Sequence, residues 1–201
     1  MNKIIIEIDD SVTKEQREDP RFKKLLQDCE KEFNDPRSDL LKLLIGLHES
    51  GHGYFARKSG ATNIYYRGPK MMWDSRPEYN CPAISRSAIV YTRSPNASVI
   101  ENIKISLAGY IVRRELSGYP NDAIAIGSDL GSCRDWFYEN IGEDEAVFNA
   151  AVADAEREIL IDLRSPKTRR EIWDEARRFV AVIFPKRSEI AANKRKMNQA
   201  A

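Results

Sequence analysis

Leu47-His48-Glu49-Ser50-Gly51-His52 is the stretch of this 201-residue sequence that decides its fold and indicates its chemistry. It contains the two histidines of the chain, four positions apart, with a glutamate directly after the first. Residues four apart lie on one face of a helix, so His48 and His52 can bind a single metal ion. Glu49 is turned about 100° around the helix axis from His48, where it can move protons without being a ligand. This H-E-x-x-H pattern predicts a zinc hydrolase.

The residues around the motif have the pattern of one long helix. Apolar side chains recur from Leu40 to Leu47, Ser38 is a candidate N-cap, and Ser59-Gly60 is a stop signal after Lys58. The N-terminal half of this segment is apolar nearly all around. We therefore expect the motif helix to be central and buried.

Other segments predict further helices and a small β insert. Helices are expected at 14–34, from the capping box Ser98-Val99-Ile100-Glu101 to Gly118, from Ser128-Asp129 to Gly142, at 143–163, and from Ser165-Pro166 onward. Strands are expected at 63–67 and 87–92, with an irregular stretch between them. The predicted fold class is mainly α (α+β), a zincin-like helical bundle with a small strand-and-loop insert after the motif helix.

Length and composition favour a single globular domain over residues 1–201, and the H-E-x-x-H motif indicates that this domain is peptidase-like. Apolar residues make up 42% of the chain and charged residues 31%. We expect the core at about 38–185, an N-terminal strand and helix extension at 1–37, and a basic tail at 186–201.

Net charge and cysteine spacing indicate which kinds of partner and which cellular compartment to expect. The net charge of +1, with basic pairs interleaved with acids, argues against a nucleic-acid partner. No apolar run is long enough for membrane insertion, and charged residues occur too early in the N-terminal segment for a signal peptide. The three cysteines form no C-x-x-C pair, which favours a reducing, cytoplasmic location.

The third metal ligand cannot be a histidine, because a catalytic zinc has three protein ligands and both histidines are used. Glu115 and Asp129 are the candidate carboxylates, with Cys133 a weaker alternative. Each has an ordinary interpretation: an ion pair beside Arg113 and Arg114 for Glu115, a helix cap for Asp129, and a buried structural thiol for Cys133. The residues by themselves leave the choice open.

Three segments, in order, resemble the peptidase domain of the FtsH-type AAA+ zinc metalloproteases. Leu47-His48-Glu49-Ser50-Gly51-His52-Gly53 is similar to the H-E-A-G-H-A signature of that family. The segment 106–118, SLAGYIVRRELSG, resembles its L-G-G-R-A-A-E-E helix. Gly127-Ser128-Asp129-Leu130 resembles its S-N-D-[LI] element. The resemblance covers roughly residues 38–185.

The resemblance implies that His48, His52 and Asp129 bind Zn²⁺ and that Glu49 is the general base of a zinc metalloendopeptidase. Its substrates would be unfolded or flexible protein and peptide segments. The sequence shows no P-loop lysine motif and no membrane span, and Arg113-Arg114 stand where the family has an acidic pair. We therefore expect a stand-alone peptidase domain that is ATP-independent by itself, with a separate ATPase or adaptor as a partner.

Two questions stay open at this point. The protein could instead be a catalytically inactive or regulatory zinc-binding relative that acts through protein–protein interaction, although every catalytic residue type is present. The oxyanion donor is also undetermined, because no histidine remains for that role. Tyr54, Tyr110, Tyr119 or backbone amides are the candidates.

Overall fold

Helices make up most of the computed structural model, which describes residues 6–35, 38–85, 88–119 and 123–184, with the backbone alone over 123–128. The elements in this part of the chain are β1 (Glu7–Ile8), α1 (Lys14–Glu18), α2 (Pro20–Asn34), α3 (Asp39–Lys58), β2 (Thr62–Arg67), β3 (Lys70–Asp74), β4 (Cys81–Ser85), β5 (Ala88–Thr92), α4 (Val99–Ser117), α5 (Ala123–Asn140), α6 (Glu145–Leu163) and α7 (Pro166–Ile183). A mainly helical fold with a small β part is confirmed. The predicted basic tail, 186–201, lies outside the described residues.

The chain divides into two units. The first takes in the described residues of Met1–Lys42, Tyr66–Ala88 and Phe179–Ala201, and the second those of Leu43–Tyr65 and Ile89–Arg178. None of the helices described has the combined length and apolar character that a bilayer span requires.

The first unit contains a three-stranded sheet with the order β1-β3-β4. Met71 lies fully buried in β3, paired with Ile8 of parallel β1 and with Ile84 of antiparallel β4. The prediction of an irregular stretch between 67 and 87 was therefore wrong, because most of this segment forms the β3–β4 hairpin. Pro82 made the second strand difficult to predict, because proline has no backbone N–H to donate. Proline is tolerated at the edge of a sheet, and β4 is an edge strand of this sheet.

The single helix predicted at 14–34 was also wrong, because the chain forms α1 and α2 with a break at Asp19. Pro20 cannot continue a helix from the preceding turn, but its fixed φ suits a first helical position. The Asp19 carboxylate accepts the Arg21 backbone N–H at 2.7 Å and caps α2. The N-terminal extension therefore contains two helices.

The second unit is built around α4, which begins and ends where the sequence predicts. The Ser98 hydroxyl and the Glu101 carboxylate form the expected capping box, and Gly118 ends the helix in the left-handed region at φ 70°. Every residue from Asn102 to Val112 is buried. Helix α4 packs against α6 and α5. The helix therefore forms the centre of this unit's apolar core.

Glycines in the motif allow α3 to lie in direct contact with its neighbours. A Cβ added at Gly51 would lie 2.6 Å from the Ala108 carbonyl oxygen of α4. A Cβ added at Gly53 would lie 2.3 Å from Cδ1 of Ile89 in β5. The carbonyl of Ala108 belongs to the backbone and cannot move aside, so Gly51 fixes how closely the motif helix packs against α4, whereas at Gly53 the end of the Ile89 side chain would have to shift.

The third predicted helix begins earlier than expected. A start at Ser128-Asp129 was wrong, because α5 begins at Ala123 and places Asp129 in its second turn. The Ala-Ile-Ala-Ile run at 123–126 contains strong helix formers, which the sequence reasoning gave too little weight. Asp129 is consequently an interior helix residue and not a cap.

We predict that Leu47→Ala lowers the free energy of unfolding by about 2–5 kcal/mol, since the Leu47 side chain is fully buried in the core. Leu40→Ala, on the same helix but 44% exposed, is the matched control and should change it by less than about 0.5 kcal/mol. Urea unfolding measures both, and equal effects would contradict the burial of α3 described above.

Candidate metal centre

Helices α3 and α5 bring His48, His52 and Asp129 together. The Nε2 atoms of the two imidazoles are 3.1 Å apart. Oδ2 of Asp129 lies 3.4 Å from Nε2 of His48 and 3.5 Å from Nε2 of His52. Each side chain keeps 13–16% of its surface exposed, so the group is largely enclosed.

The triangle formed by these three atoms has the size of one face of a tetrahedral zinc site. A zinc ion about 2.0–2.1 Å from each ligand atom, at tetrahedral angles, places those atoms about 3.3 Å from one another. The observed edges of 3.1–3.5 Å lie on both sides of that value. Within the described residues, this is the group of histidine, cysteine and carboxylate side chains that could hold a metal ion.

Hydrogen bonding alone accounts poorly for this cluster. Oδ2 of Asp129 and Nδ1 of His48 are buried without a hydrogen-bond partner. The separations of 3.4–3.5 Å are beyond those of good hydrogen bonds. A buried polar atom without a partner costs about 1–3 kcal/mol, and a cation bound at the triangle would satisfy Oδ2 of Asp129.

The backbone of α4 sets the orientation of the second imidazole. Nδ1 of His52 donates a hydrogen bond to the Ile105 carbonyl oxygen at 2.6 Å. A proton on Nδ1 leaves the Nε2 lone pair facing His48 and Asp129, as a metal ligand requires.

The two imidazoles differ in their affinity for a proton. Burial, with the neighbouring His52, lowers the pKa of His48 to about 4. Burial also opposes protonation of His52, but the adjacent Asp129 carboxylate outweighs it and raises the pKa of His52 to about 9. The opposite directions of the two pKa shifts favour a pair in which His52 holds the positive charge, and a metal ion at Nε2 would have to displace a proton from it.

Gly109 of α4 lies directly against both imidazoles. A Cβ added there would be 2.3 Å from Nε2 of His52 and 2.8 Å from Nε2 of His48, so alanine would occupy the space of the ligand atoms. The sequence reasoning did not single out Gly109. A glycine inside an otherwise regular helical pattern was the available signal.

Glu49 lies next to the ligand triangle without being part of it. The side chain is buried, and its Oε2 accepts the Ile89 backbone N–H of β5 at 2.8 Å. Its negative charge contributes to the raised pKa of His52. This position agrees with the predicted role as a proton carrier and not a ligand.

The other proposed ligands lie apart from the triangle. Glu115 accepts a hydrogen bond from Nε of Arg114 at 2.8 Å and is not among the ligand-forming residues. Cys133 is fully buried, and burial raises the pKa of its thiol to about 11, so it stays protonated. The ordinary interpretations of both residues fit their surroundings.

The tyrosines named from the sequence have different surroundings. Tyr54 shares a hydrogen bond with Thr168 at 3.2 Å, and Tyr119 is 47% exposed. Tyr110 is buried in α4, where burial raises the pKa of its hydroxyl to about 12.

Tyr91 of β5 is a tyrosine that the sequence reasoning missed. It is half-buried, and burial raises the pKa of its hydroxyl. The charges of Asp129 and Glu49 both contribute to this raised pKa, so the hydroxyl lies within the electric field of the triangle. Its position two residues after Ile89 on a strand was the available signal, since such residues share a side.

A scan against protein-family models and a search of curated proteins found no match to this chain. The resemblance to the FtsH-type peptidase domain therefore rests on the three sequence segments and stays a prediction.

We predict that Gly109→Ala abolishes tight zinc binding while the fold persists, because the added methyl group displaces the His48 and His52 nitrogens. Calorimetric titration with Zn²⁺ measures the affinity, and circular dichroism checks the helix content. Gly131→Ala in α5 is the matched control, since a Cβ there meets nothing within 4 Å. Unchanged zinc affinity in Gly109→Ala would contradict the placement of the metal at the triangle.

Proposed function

We propose that the protein is a zinc-dependent metallopeptidase that hydrolyses peptide bonds and is ATP-independent by itself. The observation that supports this most strongly is the triangle of His48 Nε2, His52 Nε2 and Asp129 Oδ2, whose edges match a tetrahedral zinc site. Glu49, one residue after the first ligand, supplies the proton carrier that such a reaction needs.

The reaction needs an activated water and a group to move its proton. Zinc bound by His48, His52 and Asp129 would lower the pKa of a bound water to about 7 and polarise the substrate carbonyl. Glu49 accepts the proton of the attacking water and returns it to the leaving amine. The hydrogen bond from the Ile89 N–H holds the Glu49 carboxylate in one orientation during both transfers.

The number of ligands favours catalysis over a structural role. A structural zinc site is closed by four protein ligands, whereas the cluster found within the described residues has three. Three protein ligands would leave the fourth position of a tetrahedral zinc ion for a water molecule. These two features favour the peptidase over the inactive or regulatory zinc-binding relative.

The proposal extends to the zincin-like fold and to the substrate class. Helix α3 carries the H-E-x-x-H motif, α4 packs against it at Gly51, and α5 supplies Asp129. This arrangement agrees with the FtsH-type resemblance, and it is the resemblance that extends the proposal to flexible or unfolded polypeptides as substrates, delivered by a separate ATPase or adaptor. The absence of a C-x-x-C pair among the cysteines suits a cytoplasmic location.

We predict that Glu49→Gln retains about one zinc per chain and lowers kcat for cleavage of an unfolded protein by at least about 100-fold, because proton transfer is lost while the ligands stay. Reduced, alkylated casein is a suitable substrate, and metal content is measured on the same sample. Wild-type protein that binds no zinc would overturn the proposal, as would full activity of Glu49→Gln.

Asp129→Ala and Glu115→Ala form a second test, which assigns the third ligand. We expect Asp129→Ala to weaken zinc binding by at least about 100-fold through loss of one of three ligands, and Glu115→Ala to leave it unchanged. Competition with a chromophoric chelator measures both affinities. The reverse order would transfer the ligand role to Glu115.

A further inference from the structure

We propose that Arg113 binds a carboxylate group of the peptide substrate beside the metal centre and so gives the peptidase a preference for acidic substrates. The inference rests on the proposed function, because it assigns a substrate group to the same site. It comes from the position of Arg113 on α4, from its lack of a partner and from the charges around it.

Helix geometry directs Arg113 toward the imidazoles. Gly109, which touches both histidines, is four residues before Arg113 and therefore on the same face of α4. Val112 lies within 3.0 Å of a Cβ added at Gly51, so this turn of α4 also faces α3. Long side chains on a helix lean toward the preceding turn, and for Arg113 that is the turn of Gly109.

The guanidinium of Arg113 has no partner among the residues that the structure describes. Its Nε is buried without a hydrogen bond, and the side chain as a whole is half-buried. The neighbouring Arg114 differs, since it pairs with Glu115 at 2.8 Å and with Glu156 at 3.2 Å. A planar guanidinium with an unused buried donor is suited to bidentate recognition of a carboxylate.

The charges around the site would favour an anionic substrate group. A divalent metal ion would balance the two carboxylates of the site, Asp129 and Glu49, and the charges of Arg113 and Arg93 would then remain in excess. An anionic substrate group would neutralise this excess.

Arg93, the other guanidinium near the site, is already engaged. It donates hydrogen bonds to Asn102 at 3.3 Å and to Ser106 at 3.3 Å, and its guanidinium lies 4.9 Å from the centre of the Trp136 ring. These contacts hold Arg93 in a structural role, so Arg113 is the residue to test.

The carboxylate could be a glutamate or aspartate side chain of the substrate or its C-terminal group. Labelled octapeptides of one parent sequence distinguish these sources: one set moves a single glutamate or glutamine through each position, and each peptide has a free or an amidated C-terminus. Fluorescence anisotropy measures binding to zinc-loaded Glu49→Gln protein, which leaves the peptides intact, and to metal-free wild-type protein.

We expect at least one carboxylate peptide to bind about tenfold more tightly than its amide counterpart, and Arg113→Met to reduce this ratio to about one. Arg113→Lys should keep part of the preference, because it retains the charge but not the bidentate geometry. Arg114→Met, which removes a charge one residue away, is the matched control and should keep the full ratio.

Equal binding of carboxylate and amide peptides to the parent protein would overturn the assignment of Arg113, as would an undiminished preference in Arg113→Met. These results are separate from failure of the peptidase proposal, which appears as absence of zinc from the wild-type protein. Carboxylate preference can still be measured on the metal-free protein in that case.

Discussion

The backbones of α3 and α4 approach each other closely at Gly51, where an added Cβ would lie 2.6 Å from the Ala108 carbonyl oxygen, and the imidazoles of α3 lie directly against Gly109 of α4. This contact holds His48 and His52 against the α4 backbone, where the Ile105 carbonyl orients the second imidazole. The buried segment of α4 makes the contact rigid, since it is packed on all sides in its own unit. The ligand geometry is therefore a consequence of helix packing and not of loop conformation.

The same packing buries carboxylate groups whose negative charge a metal ion would balance. It encloses the buried Glu49 carboxylate and an Asp129 oxygen that has no hydrogen-bond partner. These groups lie next to two imidazoles whose pKa values are shifted in opposite directions. Such a cluster is costly when it has only hydrogen bonds to rely on. A divalent cation would convert the three facing atoms into ligands and would leave Glu49 to carry protons, as proposed above. In the FtsH-type family, which this sequence resembles over 106–118, an acidic residue occupies the position of Arg113.

Local signals in the sequence predicted the helices that carry most of the candidate site. The capping box at Ser98 and the stop at Gly118 defined α4, and the stop at Ser59-Gly60 defined the end of α3. The four-residue histidine spacing placed both imidazoles on one face. Each of these signals depends on residues a few positions apart, which is why sequence alone could supply them.

Other features depend on contacts between distant segments, and the sequence could not supply them. The β3–β4 hairpin became visible only through its pairing, since Pro82 suggested a loop. The start of α5 was misplaced, so Asp129 was pictured as a helix cap instead of an interior residue facing α3. The role of Gly109 and the unpaired state of Arg113 appear only when α3 and α4 are placed together.

A crystal structure of the zinc-loaded protein, with the anomalous signal of zinc, tests the central claim most directly. We predict one ion about 2.0–2.2 Å from Nε2 of His48, Nε2 of His52 and a carboxylate oxygen of Asp129, with a water molecule as the fourth ligand. Glu49 should contact that water without coordinating zinc. An anomalous peak elsewhere, or a fourth protein ligand closing the site, would contradict a catalytic His-His-Asp centre.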